Sequence, residues 1–263
     1  MGELRVEQLS KAFPTAQKWG RSKWHTIFNN LQFSIKSGEF VCVIGPSGCG
    51  KSTLLSIAAG LEEASSGSVY VNDSPVRGPG LDRGVVFQEF ALFPWLTVRG
   101  NIAFGLKSKG VPQAEVLARA DKYVDLVGLS KFADYYPSRL SGGMRQRVGL
   151  GRALAIEPSV LLMDEPFGAL DALTRENMQL VLSDIWQETR KTVLFITHDI
   201  DEAVFLSDRV LVLNETPSRI VCELKIDLPR ARDRSDPQFQ RLVKQLDSAI
   251  RGDNNTTKHF GDN

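Results

Sequence analysis

Between residues 41 and 53 the chain reads VCVIGPSGCGKST. The first four residues form an apolar run typical of a strand buried on both faces, and Lys51 opens a stretch with helical spacing. Glycines let backbone N–H groups turn toward a polyanion, and a helix start adds unpaired N–H groups at the positive end of its dipole. The pattern fits the phosphate loop G-x-x-x-x-G-K-[ST], in which Lys51 neutralises β- and γ-phosphates and Ser52 places a hydroxyl on Mg²⁺. The residues predicted to bind the triphosphate are Gly45, Pro46, Ser47, Gly48, Cys49, Gly50, Lys51, Ser52 and Thr53.

A second apolar run, residues 160–163, ends in the adjacent carboxylates Asp164 and Glu165. Two neighbouring acids repel each other unless a cation or a proton lies between them. We therefore predict that Asp164 binds Mg²⁺, directly or through water. Glu165 is then the candidate general base that activates a water molecule.

Two more apolar runs end in polar side chains, Gln88 after residues 85–87 and His198 after residues 192–196. Ligands collect at the carboxyl ends of strands in a parallel sheet. If the sheet is parallel, Gly45, Gln88, Asp164 and His198 emerge at one edge. His198 at this edge could polarise a γ-phosphate or hold the attacking water.

Helical patterns separate the apolar runs, and this alternation predicts an α/β fold with a mostly parallel sheet. The strand signal disappears between residues 89 and 156, which predicts an inserted helical subdomain. Residues 4–38 alternate in polarity and suggest an antiparallel edge. Near the C-terminus one helical face collects apolar residues and is expected to pack on the body, whereas residues 252–263 are expected to be disordered. That face consists of Phe239, Leu242, Val243, Leu246 and Ile250.

The composition excludes several classes of protein. The chain has 263 residues, 32 Lys and Arg against 31 Asp and Glu, and a net charge of +1, so no bulk charge attracts nucleic acid or anionic membrane. Three cysteines, an odd and sparse number, indicate a reducing compartment. No apolar run approaches the ~18 residues of a membrane span, and the first residues do not have the pattern of a signal peptide. We expect a cytosolic chain that reaches the membrane only through a partner.

A third motif, residues 140–144, reads LSGGM and precedes a basic helical stretch. A Ser-Gly-Gly turn at a helix start can bind an anion, although an ordinary capped turn explains it equally well. Together with the other motifs, however, it makes the sequence resemble the ATP-binding subunits of ABC transporters. Residues 140–144 are similar to the LSGGQ signature, with Met144 in place of glutamine, and residues 45–52 and 160–165 to the Walker A and B motifs. Gln88, residues 168–171 and His198 are similar to the Q-loop, the D-loop and the switch histidine.

This resemblance covers residues 4–228 and implies the fold of a P-loop NTPase. It implies a RecA-like core with a mainly parallel sheet, an N-terminal antiparallel β subdomain and an inserted α-helical signature subdomain. We expect one ABC ATPase domain over residues 1–230, with the core at 1–88 and 157–230 and the helical subdomain at 89–156. Residues 231–263 then form a C-terminal helix and a disordered tail.

The resemblance also implies roles for individual residues. Two subunits pack head to tail around two ATP molecules, so that Ser141, Gly142 and Gly143 of one subunit meet the γ-phosphate held by the other. Asp171 and the adenine-stacking Phe13 complete the nucleotide contacts. Catalysis is assigned to Glu165, His198, Lys51 and Gln88, and Mg²⁺ binding to Ser52, Gln88 and Asp164.

A finer resemblance connects residues 78–88, 92–98 and 166–171 with importers of the nitrate, sulfonate and taurine type. It implies uptake of a small anion such as nitrate, a sulfonate, taurine or bicarbonate. The implied partners are two transmembrane permease subunits, a second copy of the chain or a homologous ATPase subunit and, indirectly, a solute-binding protein. No nucleic acid is implied, and the chain is placed peripherally on the cytoplasmic face of the inner membrane.

Two features outside these motifs have more than one possible interpretation. An apolar cluster follows Gln88, and we expect some of its members to fill the subdomain core and others to dock a membrane-subunit helix. Basic and aromatic residues in the insertion 14–26 could bind nucleic acid, but they fit a solvated hairpin turn better. The apolar cluster consists of Phe90, Leu92, Phe93, Trp95 and Leu96.

Two other functions stay open at this point. One is a soluble ABC-type ATPase that acts on nucleic acid or ribosomes, although such chains usually carry two ATPase domains or a long coiled coil. The other is a P-loop kinase with a small-molecule acceptor, which would need neither the 140–143 turn nor His198.

Overall fold

The computed structural model describes residues 2–15 and 23–252. Residues 16–22 of the insertion 14–26 and residues 253–263 of the predicted tail lie outside the described residues. The strands are β1 (Leu4–Thr15), β2 (Lys23–Ile35), β3 (Phe40–Ile44), β4 (Ser66–Val71), β5 (Ser74–Pro75), β6 (Arg83–Val86), β7 (Val160–Asp164), β8 (Thr192–Ile196), β9 (Arg209–Leu213) and β10 (Ile220–Lys225). The helices are α1 (Lys51–Ala59), α2 (Val98–Ser108), α3 (Gln113–Leu126), α4 (Gly142–Ala155), α5 (Ala172–Thr189), α6 (Ile200–Leu206) and α7 (Pro237–Arg251).

A six-stranded sheet has the order β10-β9-β3-β8-β7-β6. All its neighbouring pairs are parallel except β10 with β9. Every residue of β3 and β8 is buried, as their continuous apolar sequences predict. The predicted mostly parallel sheet is therefore confirmed, and the ends of β3, β6, β7 and β8 lie at one edge.

The N-terminal strands build a second sheet, with the order β2-β1-β4-β5 and antiparallel pairing throughout. The expected N-terminal antiparallel β subdomain is therefore confirmed, and it is a separate sheet instead of an edge of the parallel one. Helix α1 lies between the two sheets, where Leu54 and Leu55 join one core with Leu4 and Val6 from the antiparallel sheet and Val43 from the parallel sheet. This packing fixes the phosphate loop, which directly precedes α1.

The stretch between β6 and β7 is helical, as the missing strand signal predicts. It contains α2, α3, α4 and two short 3-10 turns, Ser130–Phe132 and Pro137–Arg139. Ile102, Val116 and Val148, one from each helix, are fully buried in a common core. None of the helices within 2–15 and 23–252 is long and apolar enough to cross a bilayer.

The C-terminal helix α7 packs on the body of the molecule, which confirms the sequence prediction. Phe239 and Leu246 on its apolar face are fully buried against α6, β9 and β10. Arg232, just before the helix, anchors this segment because its guanidinium donates hydrogen bonds to the carbonyl oxygens of Phe205 at 3.2 Å and Ser207 at 2.6 Å. Helix α7 ends at the left-handed Gly252.

Candidate nucleotide-binding site

The phosphate loop between β3 and α1 wraps around the ammonium group of Lys51. Gly48 and Gly50 have positive φ angles of 79° and 93°, and a Cβ atom at Gly50 would clash with the side chain of Ile27. Lys51 is only 6% exposed, and its Nζ donates to the carbonyl oxygens of Gly45 at 2.8 Å and Pro46 at 3.0 Å. The backbone of the loop therefore requires glycine, and Lys51 is held at its centre.

The start of α1 is suited to bind an anion from outside the chain. Its N-cap is Gly50, and no side chain of the described residues caps it. The N–H groups of the first helical turn are thus available to an external acceptor, and the helix dipole places positive potential there. A phosphate group is the ligand that such a helix start favours.

Ser52 and Asp164 form a hydroxyl–carboxylate pair at the edge of the parallel sheet. The Ser52 Oγ donates to Asp164 Oδ1 at 3.0 Å. Burial raises the pKa of Asp164, and the neighbouring charge of Glu165 acts in the same direction. Mg²⁺ prefers oxygen ligands and binds through one or two carboxylates together with substrate phosphates. The pair could supply oxygen ligands to a magnesium ion that takes its other ligands from phosphate and water. Within residues 2–15 and 23–252, no group of three His, Cys, Asp or Glu side chains could hold a metal.

Glu165 and His198 also lie together. His198 Nδ1 and Glu165 Oε2 are 2.9 Å apart, and the histidine side chain is 61% exposed. Glu165 adopts a left-handed backbone with φ of 41°, and its N–H donates to the Ile196 carbonyl at 2.9 Å. Such strain in a non-glycine residue persists only where the surroundings fix it, and it is concentrated at functional sites. The bend turns Glu165 away from the direction of β7 and toward the histidine.

Gln88 follows β6 and is exposed. Its amide lies beside the D-loop, because a Cβ atom at Gly168 would come within 3.1 Å of Gln88 Nε2. The Gly168 N–H in turn donates to the Glu165 carbonyl at 3.0 Å. The structure therefore places Gln88 near the turn that follows Glu165, and its role as a magnesium ligand stays a prediction.

The signature turn forms the start of α4. Ser141 caps the helix, since its Oγ accepts from the Met144 N–H at 3.3 Å. Gly143 packs directly on α5, where an added Cβ would come within 2.6 Å of Thr174 Cγ2. Asp171 caps α5 by accepting from the Thr174 N–H at 3.0 Å, and this bond lowers the pKa of Asp171. Two helix starts, each with its positive dipole end, thus lie side by side.

Phe13 lies near the end of β1 and is half-buried. Its register partner on β2 is His25, and Lys11 Nζ lies 4.5 Å from the centroid of the Phe13 ring. Trp24, next to His25, is 62% exposed. Contact of Phe13 with adenine stays a prediction, and Lys18, Trp19 and Arg21 of the insertion lie outside the described residues.

The apolar cluster after Gln88 divides between core and surface, as its sequence suggested. Phe90 and Leu92 pack against the buried core. Trp95 is 69% exposed and Phe104, on α2, is 45% exposed. Phe93 contacts both, with ring centroids 5.5 Å from Trp95 and 4.3 Å from Phe104. The surface of Phe93, Trp95 and Phe104 is called the aromatic patch below.

One set of residues near the site was missed by the sequence reasoning. Thr197, Glu202 and Gln179 are buried polar side chains joined by hydrogen bonds directly behind His198. The only signal in the sequence is a glutamate that shares α6 with apolar residues. A charged residue in such a position needs buried partners, but the sequence does not identify them.

Comparisons with known proteins agree with this geometry. A family model described as ABC transporter matches residues 28–168. The chain is 49% identical over 258 residues to the nitrate import ATP-binding protein NrtD of Synechocystis, covering 95% of each chain. It is 51% identical over 258 residues to the taurine import ATP-binding protein TauB of Burkholderia pseudomallei, covering 94% of this chain and 97% of that protein. Among solved structures it is similar to a dimeric ATP-binding cassette in a post-hydrolysis state bound to ADP and Pi, with a TM-score of 0.73 and 32% identity over 86% of this chain and 100% of that chain.

Proposed function

This chain belongs to the ATP-binding subunits of the ABC transporter family, and from that premise we propose that it hydrolyses ATP to drive import of a small anion. The observation that carries the proposal is the similarity to NrtD and TauB over nearly the whole chain, at 49% and 51% identity. The two relatives are named for nitrate and taurine, whose shared chemistry is an oxyanion group. The nearly equal identities favour neither solute over the other.

The nucleotide would be held by the phosphate loop. Lys51 would exchange the carbonyl oxygens of Gly45 and Pro46 for phosphate oxygens. The N–H groups at the start of α1 would bind the same anion. Ser52 and Gln88 would bind Mg²⁺ with support from Asp164, and the ion would neutralise phosphate charge when bound.

Hydrolysis would proceed by attack of water on the γ-phosphorus, in line with the bond to the leaving ADP. Glu165 would accept a proton from the attacking water. His198, whose Nδ1 faces Glu165, would direct its other ring nitrogen, Nε2, toward the γ-phosphate. The bond that forms joins water oxygen to phosphorus, and the bond that breaks joins phosphorus to the bridging oxygen, so the products are ADP and phosphate.

A second copy, or a homologous ATPase subunit, would complete each site. Ser141, Gly142 and Gly143 would meet the γ-phosphate held by the partner, and Asp171 would lie at the same interface. The start of α4 supports this arrangement, since its dipole favours an anion although it has no lysine of its own at that position. A cassette similar to this chain is described as a dimer bound to ADP and Pi.

The aromatic patch would receive a cytoplasmic helix of the permease. A contiguous exposed apolar surface next to the nucleotide-sensing Gln88 is the kind of surface that an amphipathic helix covers. In this arrangement the chain lies peripherally on the cytoplasmic face of the inner membrane, and the solute-binding protein acts without touching it. Single cysteines at Phe93 and Trp95 should crosslink to cysteines in the permease loops, and no crosslink at either position would contradict the contact.

The domain organisation proposed from the sequence belongs to the same picture. Residues 1–230 would form the ATPase domain, with the helical subdomain 89–156 inserted between core segments 1–88 and 157–230. Residues 231–263 would form a C-terminal extension that contains α7 (Pro237–Arg251). The nucleic-acid alternative is not supported by the relatives, which are named as importer subunits.

Transport in a reconstituted complex tests the proposed function. The chain would be co-expressed with its permease subunits and solute-binding protein, placed in proteoliposomes with internal ATP, and supplied with labelled nitrate or taurine. We expect ATP-dependent accumulation of one of them, and its loss in the variant Lys51→Ala. ATP hydrolysis without uptake of nitrate, taurine, other sulfonates or bicarbonate would contradict the import of small anions. Co-purification of nucleic acid in place of membrane subunits would favour the alternative.

A further inference from the structure

A series of hydrogen bonds, buried at its inner end, leads from the C-terminal segment to the loop that carries His198. Arg234, just before α7, donates through Nη2 to Gln179 Oε1 on α5. Gln179 Nε2 donates to Glu202 Oε1 on α6 at 2.9 Å. Glu202 Oε2 accepts from the Thr197 hydroxyl at 2.6 Å. Four side chains from four different segments thus end at the residue that precedes His198.

The inner end of this hydrogen-bond series, at Thr197, fixes the backbone on both sides of His198. The Thr197 N–H donates to the Val43 carbonyl of β3 at 3.3 Å. The Asp199 N–H donates to Thr197 Oγ1 at 3.0 Å, and the Glu202 N–H donates to Asp199 Oδ1 at 3.0 Å. Because His198 itself is 61% exposed, packing contributes little to its orientation, which depends on this backbone and on the contact of Nδ1 with Glu165.

Glu202 is the central member. It is only 4% exposed, and each of its carboxylate oxygens accepts one hydrogen bond. Burial raises the pKa of Glu202, and Asp199 acts in the same direction, whereas Thr197, Gln179 and Arg175 oppose the shift. A buried carboxylate is costly unless its hydrogen bonds are made, so the network tolerates little change.

Arg234, at the outer end of the series, fixes which group donates in each of these hydrogen bonds. An arginine can only donate and an ionised carboxylate can only accept, so Gln179 between them must present Oε1 to Arg234 and Nε2 to Glu202. Arg234 is held by two elements: its guanidinium lies 4.4 Å from the ring centroid of Phe205 on α6, and its carbonyl accepts from Gln240 Nε2 at 2.8 Å. Gln240 is part of α7.

We propose that Arg234, Gln179 and Glu202 are positioning residues that orient His198 through Thr197, so that the C-terminal segment supports ATP hydrolysis from outside the nucleotide site. The inference rests on the role proposed above for His198. A positioning role predicts a fall in kcat with little change in KM, because the phosphate loop, which holds the nucleotide, is not part of the network.

The first test compares Arg234→Met with Arg241→Met in the full chain. Arg241 is exposed on α7 and serves as the matched control. We expect Arg234→Met to lower kcat by about two- to tenfold, the effect of one hydrogen bond, with KM for ATP unchanged within twofold. Arg241→Met should behave as the parent chain does. Equal kcat values for the two variants would overturn the proposal.

The second test uses the fixed direction of the amide. Glu202→Gln replaces one acceptor by a donor. The N–H₂ group of the introduced amide would face Gln179 Nε2, because facing Thr197 would leave that buried hydroxyl, which already accepts from the Asp199 N–H, without an acceptor for its own proton. Gln179 could turn over to accept from it, but its Nε2 would then face the donors of Arg234. Removing Arg234 relieves that conflict. We therefore expect the double variant Glu202→Gln/Arg234→Met to retain at least the kcat of Glu202→Gln alone.

Independent structural damage predicts the opposite, because the two losses in kcat would then multiply. Multiplied losses would overturn the proposal even if both single variants are impaired. ATP binding and the thermal midpoint of each variant are measured in parallel, and kcat is referred to the nucleotide-binding fraction, so that partial misfolding is not counted as lost catalysis.

His198→Ala separates this inference from the proposed function. If the parent chain hydrolyses ATP and His198→Ala has lost the activity, the role of His198 stands. Parent-like kcat in the Arg234 and Glu202 variants would then overturn the network alone. If His198→Ala is as active as the parent chain, the proposed role of His198 and the inference that rests on it are both wrong.

Discussion

The phosphate loop and the signature turn both lead into helices through glycines, but the first turns of the two helices have their backbone N–H groups satisfied in different ways. The N-terminus of α1 has no side-chain cap among the described residues, and Lys51 lies inside the loop that precedes it. The N-terminus of α4 is capped by Ser141, and Gly143 packs against α5. The first start is left open for an outside anion, whereas at the second the Ser141 side chain already accepts from one N–H group, that of Met144.

This difference separates binding a phosphate from recognising one that is already bound. An open helix start with a lysine and an adjacent Ser52–Asp164 pair can hold a polyanion by itself. A capped start keeps fewer N–H groups for an outside anion, and its dipole is worth about 0.3–1 kcal/mol at an exposed site. We therefore propose that the signature turn contributes to binding only after another group has fixed the phosphate, as a head-to-tail dimer would provide.

Glu165→Gln gives the largest expected effect, because it leaves binding intact at the open start and removes only the base. Loss of a general base lowers the rate by ~10²–10⁴-fold. Glutamine keeps the size of Glu165 and an oxygen for His198, so ATP binding should remain and the ATP-bound dimer should persist. Steady-state ATPase rates and the size of the chain in ATP by light scattering measure both effects.

Glu176→Gln, at an exposed position on α5, is the control and should retain the parent rate. If Glu165→Gln hydrolyses ATP at the rate of this control, the assignment of the base is wrong. Loss of activity without a stable dimer would instead contradict the view that the signature turn recognises bound ATP.

Ser141→Asp should prevent the N-terminus of α4 from meeting the triphosphate of a partner, while an aspartate still caps the helix. Asp and Asn cap helices as well as serine does, so α4 should remain formed in both Ser141→Asp and Ser141→Asn. Only the aspartate sets a negative charge against the triphosphate of a partner, which costs several kcal/mol, or roughly 10²–10³-fold in dimerisation. Analytical ultracentrifugation with ATP in the Glu165→Gln background compares the two variants.

A mixture of two variant chains provides the control, because the proposed site takes residues from both chains of a dimer. A Ser141→Asp chain supplies an intact phosphate loop, and a Lys51→Ala chain supplies an intact signature turn. Neither should hydrolyse ATP alone, but together they should form one complete site and recover part of the parent activity. Equal dimerisation of the aspartate and asparagine variants would show that the turn does not meet the nucleotide.

Asp164→Asn is expected to have an intermediate effect on ATPase activity, confined to its dependence on magnesium. Residues that support a metal ligand typically contribute 10–100-fold to affinity or activity, so Mg²⁺ should stimulate ATPase activity at about 10–100-fold higher concentration. Magnesium titrations of the ATPase rate measure this. ADP binding without Mg²⁺ should stay close to that of the parent chain.

The stability of this variant without nucleotide should change in the other direction. Burial raises the pKa of Asp164, so the fold disfavours its ionised form and loses stability as pH rises through the ordinary carboxyl range. The neutral amide removes that cost. Asp164→Asn should therefore unfold at an equal or higher temperature at neutral pH, and a clear fall would show that the carboxylate serves the fold instead of the metal.

The sequence could predict where the site lies because buried parallel strands place their carboxyl ends at one edge. The positions of Gly45, Asp164 and His198 follow from that rule alone. Strands β4 and β5 were not predicted, since one begins with Ser-Gly-Ser and the other has only two residues. Short antiparallel strands of this composition depend on the neighbouring β1 for their formation more than on their own propensity.

Side-chain pairings could not be predicted, because they depend on backbone turns between distant segments. Glu165 and His198 are 33 residues apart, and they meet only because Glu165 adopts positive φ. The contact of Arg234 with Gln179 spans 55 residues and depends on how the C-terminal segment lies across α5 and α6. Apolar periodicity predicted that α7 packs on the body, but it does not specify the polar contacts of the segment just before the helix.

Met144→Gln should have the smallest effect, although it restores the usual residue of the signature motif. The cap uses the Met144 backbone N–H, which any side chain at this position retains. The side chain itself is half-buried and packs against the hydrophobic core. We expect changes of no more than about 0.5 kcal/mol, or roughly twofold in kcat, because the turn acts through its backbone. A tenfold rise in ATPase activity would show instead that the glutamine amide contacts the nucleotide.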